Sequence, residues 1–462
     1  MKGTNILRVD KMKKSGTDMI EGPILKNIIR YTIPIILTGL LQLLFNAADL
    51  IVVGQYGNEL SVAAVGNTSA IIALVVNFFM GFSTGTGVTV AQSIGAKNNK
   101  AVHRAVHTAI PIAIISGILM TIIGISFTEK VLHMMSTPED VLPLSAMYMK
   151  VYFAGTLFIM LYNFCAAILR AAGDTKSPLI YLTISGVINV ILNFIFVVFF
   201  HMDVAGVALA TTISQGISAA LVVIRLVRRT DACKLMLNKI KIYKRPLVQI
   251  IGIGLPAGIQ SALFAISNTL IQTAINSFDD PLMMSGNAAA GNLEGFVYVI
   301  INAFSQTAIN FVGQNVGAKR YDRVKKIVGT CIGLVTGAGI ISGIVLYVLG
   351  PTLLSLYIPH SDEAIRWGLL RLAWICFPFF LCGLMDTSTG ALRGMGVSVA
   401  PMIITVVGVC GMRVLWIYTI FKMYHTIECL YLSYTVTWAL TFMVEFIVFC
   451  CIYKKRKNMY NL

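Results

Sequence analysis

The chain has 462 residues, 57% of them hydrophobic and only 12% charged, with a mean hydropathy of +0.80. Soluble domains carry about 25% charged residues, so this composition excludes a soluble globular protein and leaves a polytopic membrane protein. The formal charge of +16 gathers in the polar connections between apolar segments, which removes nucleic acid as a partner.

Residues 1–22 form a basic, polar tail without the apolar core of a cleavable signal, so the first span is expected to direct insertion. Apolar segments then fall at 28–54, 62–91, 101–127, 143–168, 178–200 and 205–227. A second set follows at 247–276, 285–313, 325–349, 365–390, 400–421 and 428–453. Twelve spans of about 20 residues use up nearly the whole chain. The expected fold is an all-α polytopic membrane protein, with twelve transmembrane helices in two pseudo-symmetric six-helix lobes. Its parts are a tail at 1–22, an N-lobe at 23–229, a connection at 230–246, a C-lobe at 247–453 and a second tail at 454–462. Thirty of the 36 Lys and Arg lie on the side of the termini, five on the other, and Arg413 within a span. That bias places both termini in the cytoplasm.

The first span holds Pro34, Gln42, Asn46 and Asp49. The last three, spaced four and three apart, share one helical face. A carboxylate inside a bilayer costs roughly 2.5–3.5 kcal/mol on insertion scales, so Asp49 is expected to face a wet interior and to titrate or bind a cation. Asn189, Asn193 and Thr211 in spans five and six carry uncharged oxygens suited to a hard cation such as sodium near Asp49. In span seven, Pro256 is the counterpart of Pro34, and Gln260, Asn268, Gln272 and Asn276 recur at multiples of four. Glu294, Tyr298, Asn302, Gln306 and Asn310 do the same in span eight, so these two stripes are expected to line a cavity. Glu294 and Arg413 lie at similar depths and are expected to pair, because an unpaired arginine there is costly. Asp386 and Glu445, close to span ends, are expected at the membrane interface. The nine cysteines form no C-x-x-C pair and are read as small buried hydrophobes.

The halves repeat. "AQSIGAKNNK" (91–100) answers "GQNVGAKRYD" (313–322) at an offset of 222, and "AAILRAAGDTKSP" (166–178) answers "TGALRGMGVSVAP" (389–401) at 223. Six spans per copy give both copies the same orientation, a plan used by secondary transporters. The glycine cluster "GIGLPAG" lies in a span, and no G-x-x-x-x-G-K-[ST] occurs, so a nucleotide loop is excluded. H-E-x-x-H and G-x-S-x-G are also missing, and no enzymatic activity is expected.

With these signatures, and with "GPILKNIIRYTIPIILTGLLQLLFNAADLIVVGQYG" (22–57) and "AVGN" (64–67), the chain resembles the multidrug and toxic compound extrusion (MATE) family. The resemblance implies a V-shaped central cavity and export of organic cations or drugs against inward flow of H+ or Na+. It implies coupling at Asp49, gating through Pro34, and an N-lobe cation site at Asp49, Asn189, Asn193 and Thr211. Relatives with that site carry an aspartate at the position of Asn193, so one anionic ligand is missing here. No cofactor is expected beyond the coupling ion. The expected partners are a cationic amphiphilic small molecule and the lipid bilayer, with the monomer as functional unit. The alternative is a lipid-linked precursor or polysaccharide flippase, which needs cationic residues for phosphate; Arg413 is the only mid-span base found.

Overall fold

The structure is a computed structural model and describes residues 16–58, 60–359 and 361–459. Residues 1–15 of the expected N-terminal tail and 460–462 of the C-terminal tail lie outside it. In the first half run α1 (Ile24–Tyr56), α2 (Ser61–Gly95), α3 (Asn99–Met134), α4 (Leu142–Ala154), α5 (Thr156–Ala171), α6 (Lys176–Asn193) and α7 (Asp203–Val227). The second half holds α8 (Lys244–Asn276), α9 (Pro281–Gly317), α10 (Tyr321–Tyr357), α11 (Asp362–Cys376), α12 (Phe379–Gly394), α13 (Val399–Thr405), α14 (Met412–Tyr418), α15 (Ile420–Met423) and α16 (Ile427–Met459). No strand occurs among the described residues. Ten helical stretches are long and apolar enough to span a membrane, and two bent pairs complete the twelve.

The bent pairs, α4–α5 and α11–α12, each turn by 44° and fall at repeat-equivalent places. The causes differ. At Pro378 the chain lacks an amide donor and the ring crowds the preceding turn. At Gly155 the absent side chain admits Thr212 of α7, whose Oγ1 would lie 2.5 Å from an added Cβ.

Helices overrun the expected segments: α9 extends from Pro281 to Gly317 against an expected 285–313. Polar ends explain this, because a helix continues until it is capped; Asp280 accepts from the amides of Leu282 (2.9 Å) and Met283 (3.1 Å). Both "LRAAG" and "LRGMG" turns close in one way. Gly173 (φ +86°) and Gly396 (φ +82°) adopt the left-handed conformation, and the next amides, of Asp174 and Val397, bond back to the carbonyls of Leu169 (2.9 Å) and Leu392 (3.0 Å).

Each lobe has its own packed interior, one around Met160, Phe164 and Leu169, the other around Val297, Cys376 and Trp438. Ile122, Ile341 and Ile447 are more than half exposed, the pattern of a lipid-facing surface. The lobes meet along α2 and α8, where "GIGLPAG" lets the backbones touch. A Cβ on Gly81 would sit 2.2 Å from the Gly258 nitrogen, and one on Gly258 would sit 2.2 Å from the Phe78 carbonyl oxygen. Residues 16–22 are not a free tail. Met19 is fully buried against α9 and its neighbours, Thr17 N–H donates to the Gly173 carbonyl (2.9 Å), and Asn315 donates to the Met19 carbonyl (2.9 Å). This segment therefore bridges both lobes on the face that carries the termini. The connection after α7 is docked as well, with Cys233 and Leu235 buried and the Met236 amide donating to His107 Nε2 (3.0 Å).

Candidate functional site

Three helices bring Asp49, Asn189, Asn193 and Thr211 together. Asn193 Nδ2 donates to Asp49 Oδ1 at 2.5 Å and to Asn189 Oδ1 at 3.4 Å. Thr211 Oγ1 donates to Asp49 Oδ2 (3.2 Å) and accepts from Asn189 Nδ2 (3.3 Å). Asn189 and Asn193 lie four apart on one face of α6 and are both buried. Directly after Asn193 the helix widens into a π turn, Phe194–Phe199, a feature frequent at functional sites. Among the described residues no base bonds to Asp49.

As a site for a resident metal ion this donor set is sparse. It has one carboxylate, both of whose oxygens already accept hydrogen bonds, and three neutral oxygens. No group of three or more His, Cys, Asp or Glu that could hold a metal occurs among the described residues. Asn193 Oδ1 is buried and without a partner.

A central cavity of about 740 Å³ opens between the lobes and extends mainly into the second. Gln42, Gln260, Asn268, Gln272, Asn302 and Gln306 line it. Asn46 does not, and Asp49 lies off its wall. Pro34 and Pro256 are both buried, and α1 and α8 stay helical on either side of them.

The expected ion pair between Glu294 and Arg413 does not form. Arg371 takes Glu294 instead, Nε to Oε1 at 2.7 Å and Nη2 to Oε2 at 2.8 Å, and its Nη1 donates to Asn287 Oδ1 (2.5 Å). Tyr431 and Gln272 extend the network through Asn287. The charge count puts Arg371 among the five bases of the far side, but Ser361 caps α11 and starts it at Asp362. Arg371 thus sits more than two turns into the span. Arg413, also buried, donates from Nη1 to Asn268 (3.0 Å), and its guanidinium lies 4.1 Å from the Tyr434 ring centre.

Arg413 is also not the only mid-span base, since Arg371 lines the cavity too; Arg170 and Arg393 reach that cavity from the last turns of α5 and α12. The interface expected for Asp386 and Glu445 is not where they lie. Asp386 stands on the cavity wall. Glu445 is fully buried and accepts from Thr389 (2.8 Å to each oxygen) and Thr405 (2.9 Å). Gln260 joins Thr405 to Arg393, donating to the first at 3.0 Å and accepting from the second at 2.8 Å. One face of the tenth span faces the cavity throughout, at positions 371, 375, 379, 382, 386, 389 and 393. Steps of three and four residues are the signal that would have found it.

The model of a protein family described as MatE matches residues 34–195 and 256–419, one match in each half, beginning at Pro34 and at Pro256. The chain is 26% identical over 396 residues to a probable multidrug resistance protein, YpnP, of Bacillus subtilis, covering 86% of this chain and 88% of that one. It is 26% identical over 402 residues to the probable multidrug resistance protein NorM of Thermotoga maritima, with 84% of each covered. Among solved structures, an outward-facing multidrug resistance MATE transporter of the MOP superfamily aligns with a TM-score of 0.89 at 20% identity, over 96% of this chain and 99% of that one. A MOP superfamily transporter from Pyrococcus furiosus also gives a TM-score of 0.89 at 20% identity, over 96% and 98%.

Proposed function

As the chain belongs to the MatE family of multidrug efflux transporters, we propose that it is a proton-coupled antiporter exporting cationic amphiphilic small molecules by alternating access. It works as a monomer in a bacterial inner membrane with both termini in the cytoplasm, as the thirty-to-five charge bias supports. On that orientation the bonds of Gln92 to Gly394 and of Gln314 to Ala171 join the lobes at the cytoplasmic face, which supports an outward-facing state.

The observation that carries the reading is the pair of donors on Asp49. An ionised carboxylate only accepts, which suits Asn193 N–H and Thr211 O–H. Protonation turns one oxygen into a donor, which at Oδ1 faces the Asn193 N–H and at Oδ2 is met only if the Thr211 hydroxyl turns round. At Oδ1 the bond from Asn193 is then lost, or Asn193 rotates to present its unpartnered Oδ1. Either change acts on α6 at its π turn, so the proton binds the two conformations unequally, as coupling requires. Pro34, which leaves α1 one internal hydrogen bond short, lets that helix bend in response. Asp386 on the cavity wall gives a cationic group its counter-charge.

The test is transport in reconstituted vesicles with a pH gradient and a sodium gradient imposed separately. Asp49→Asn is expected to abolish gradient-driven efflux while the protein stays folded. Undiminished efflux in that variant overturns the reading. Sodium is the second reading, favoured by the spare oxygen of Asn193; efflux driven by the sodium gradient alone selects it.

A further inference from the structure

The two bent pairs differ in what fills the bend. In the first lobe Thr212 of α7 closes on Gly155. Its Oγ1 would lie 2.5 Å from a Cβ there, and it approaches the Val151 carbonyl to 3.4 Å. The repeat carries these three positions 223 residues on, to Thr435, Pro378 and Trp374. A pyrrolidine ring then stands where Gly155 has a hydrogen, and an indole where Val151 has an isopropyl group, so Thr435 has no room to close in the same way. A groove of about 640 Å³ is left, within the range of about 300–1,000 Å³ usual for ligand sites. Trp374, Phe377 and Pro378 line it from the bend, Ile340 from α10, and Leu432 and Thr435 from α16. Among the described residues no charged side chain lines it, and Thr435 supplies its only hydroxyl.

The groove is continuous with the lipid-facing surface. Phe377 and Leu432 on its rim are exposed, as are Ile341 and Ile344 on the same stretch of α10. Trp374 lies 12 residues after the start of α11 and Thr435 eight after that of α16. At 1.5 Å per residue the groove is thus about 10–20 Å from those helix ends, inside the hydrocarbon. An unfilled concave surface forfeits dispersion contacts, and hydrocarbon is what the surroundings offer at that depth.

We infer that the groove at the α11–α12 bend holds one acyl chain of a bilayer phospholipid, which takes the place that Thr212 fills in the first lobe. The groove reads the chain and not the headgroup, because it has no charge to offer a phosphate. One helix pair carries two walls: positions 373, 374, 377 and 381 face the chain, and 371, 375, 379 and 382 face the central cavity. A chain wedged at the bend therefore braces the wall to which Asp386 belongs. The site depends neither on what the cavity carries nor on the coupling ion.

A phospholipid brominated in the middle of an acyl chain quenches an indole that it touches, and Trp374 lines the groove. The purified full chain, stripped of lipid in detergent, is titrated with that phospholipid. The signal of Trp374 is the difference between the wild type and Trp374→Phe. Quenching is expected to reach a plateau at about one lipid per chain, as a single concave site requires, and to be the same with choline and glycerol headgroups. Thr435→Phe, whose ring fills the groove from α16, loses it. Native mass spectra of the wild type give a second reading without the tryptophan variant: one retained phospholipid, absent from Thr435→Phe. Quenching that climbs without a plateau, as for lipid exchanging freely around the surface, overturns the inference. So does a plateau or a retained lipid that survives in folded Thr435→Phe, or a wild type that retains none. Quenching by free brominated fatty acid alone overturns it too, as does a two-chain mass with Trp374 shielded, which would mean that a second copy covers the groove.

Discussion

Gln92 and Gln314, 222 positions apart, make the same hydrogen bond in opposite directions across the boundary between the lobes. Gln92 Nε2 donates to the Gly394 carbonyl at 2.9 Å, and Gln314 Nε2 donates to the Ala171 carbonyl at 2.7 Å. Each glutamine of one repeated signature thus satisfies the last turn of the other signature in the opposite lobe, where helix carbonyls lack partners. The backbones are tight there as well. A Cβ on Gly95 would lie 1.9 Å from the Gln314 carbonyl oxygen, and one on Gly317 would lie 2.0 Å from that of Gln92.

The two glutamines act as a latch on the face of the termini. Gln92→Ala and Gln314→Ala are each expected to weaken it by about 0.5–1.5 kcal/mol, the usual net value of one such bond. Hydrogen exchange is the measurement: amides of residues 92–98 and 313–320 exchange faster in each variant and fastest in the double. Unchanged exchange in the double variant removes the latch.

The choice of partner for Glu294 is open to a double-mutant cycle. Glu294→Gln leaves Arg371 buried and unpaired, a loss of about 3–5 kcal/mol. Coupling of Glu294 with Arg371 should exceed about 1 kcal/mol, whereas its coupling with Arg413 stays within about 0.5 kcal/mol. Chemical unfolding in detergent measures both, and the reverse ranking would contradict the structure.

Glycines of one cluster should respond in opposite ways. Gly258→Ala drives a methyl into the Phe78 backbone, which cannot swing aside, for an expected loss of about 1–3 kcal/mol. Gly252 has open space around its would-be Cβ. Gly252→Ala is expected to be neutral or to stabilise α8 by up to about 1 kcal/mol. Melting temperatures of the two variants decide it.

Met19, buried between the lobes, is expected to cost about 2–5 kcal/mol when cut back to alanine. The same change at Met134, which is 77% exposed, serves as the reference and should lie within about 0.5 kcal/mol of wild type. A Met19→Ala variant as stable as that reference would show that residues 16–22 do not brace the seam.

Span number and the doubling of the halves were legible in the sequence. Hydropathy over 20 residues is a local sum, and Gln, Lys, Arg and Pro at a steady offset survive without knowledge of packing. Spacing puts Asn189 and Asn193 on one face, and only the family resemblance joined them to Asp49 and Thr211. Which arginine Glu294 meets was decided by tertiary structure. Depth along a helix follows from counting, but rotation about its axis and the 44° bend between α11 and α12 do not. The docking of residues 16–22 and the burial of Glu445 likewise depend on what surrounds each group. A side chain's partner is a property of several helices at once, and one-dimensional spacing constrains only the helix that carries it.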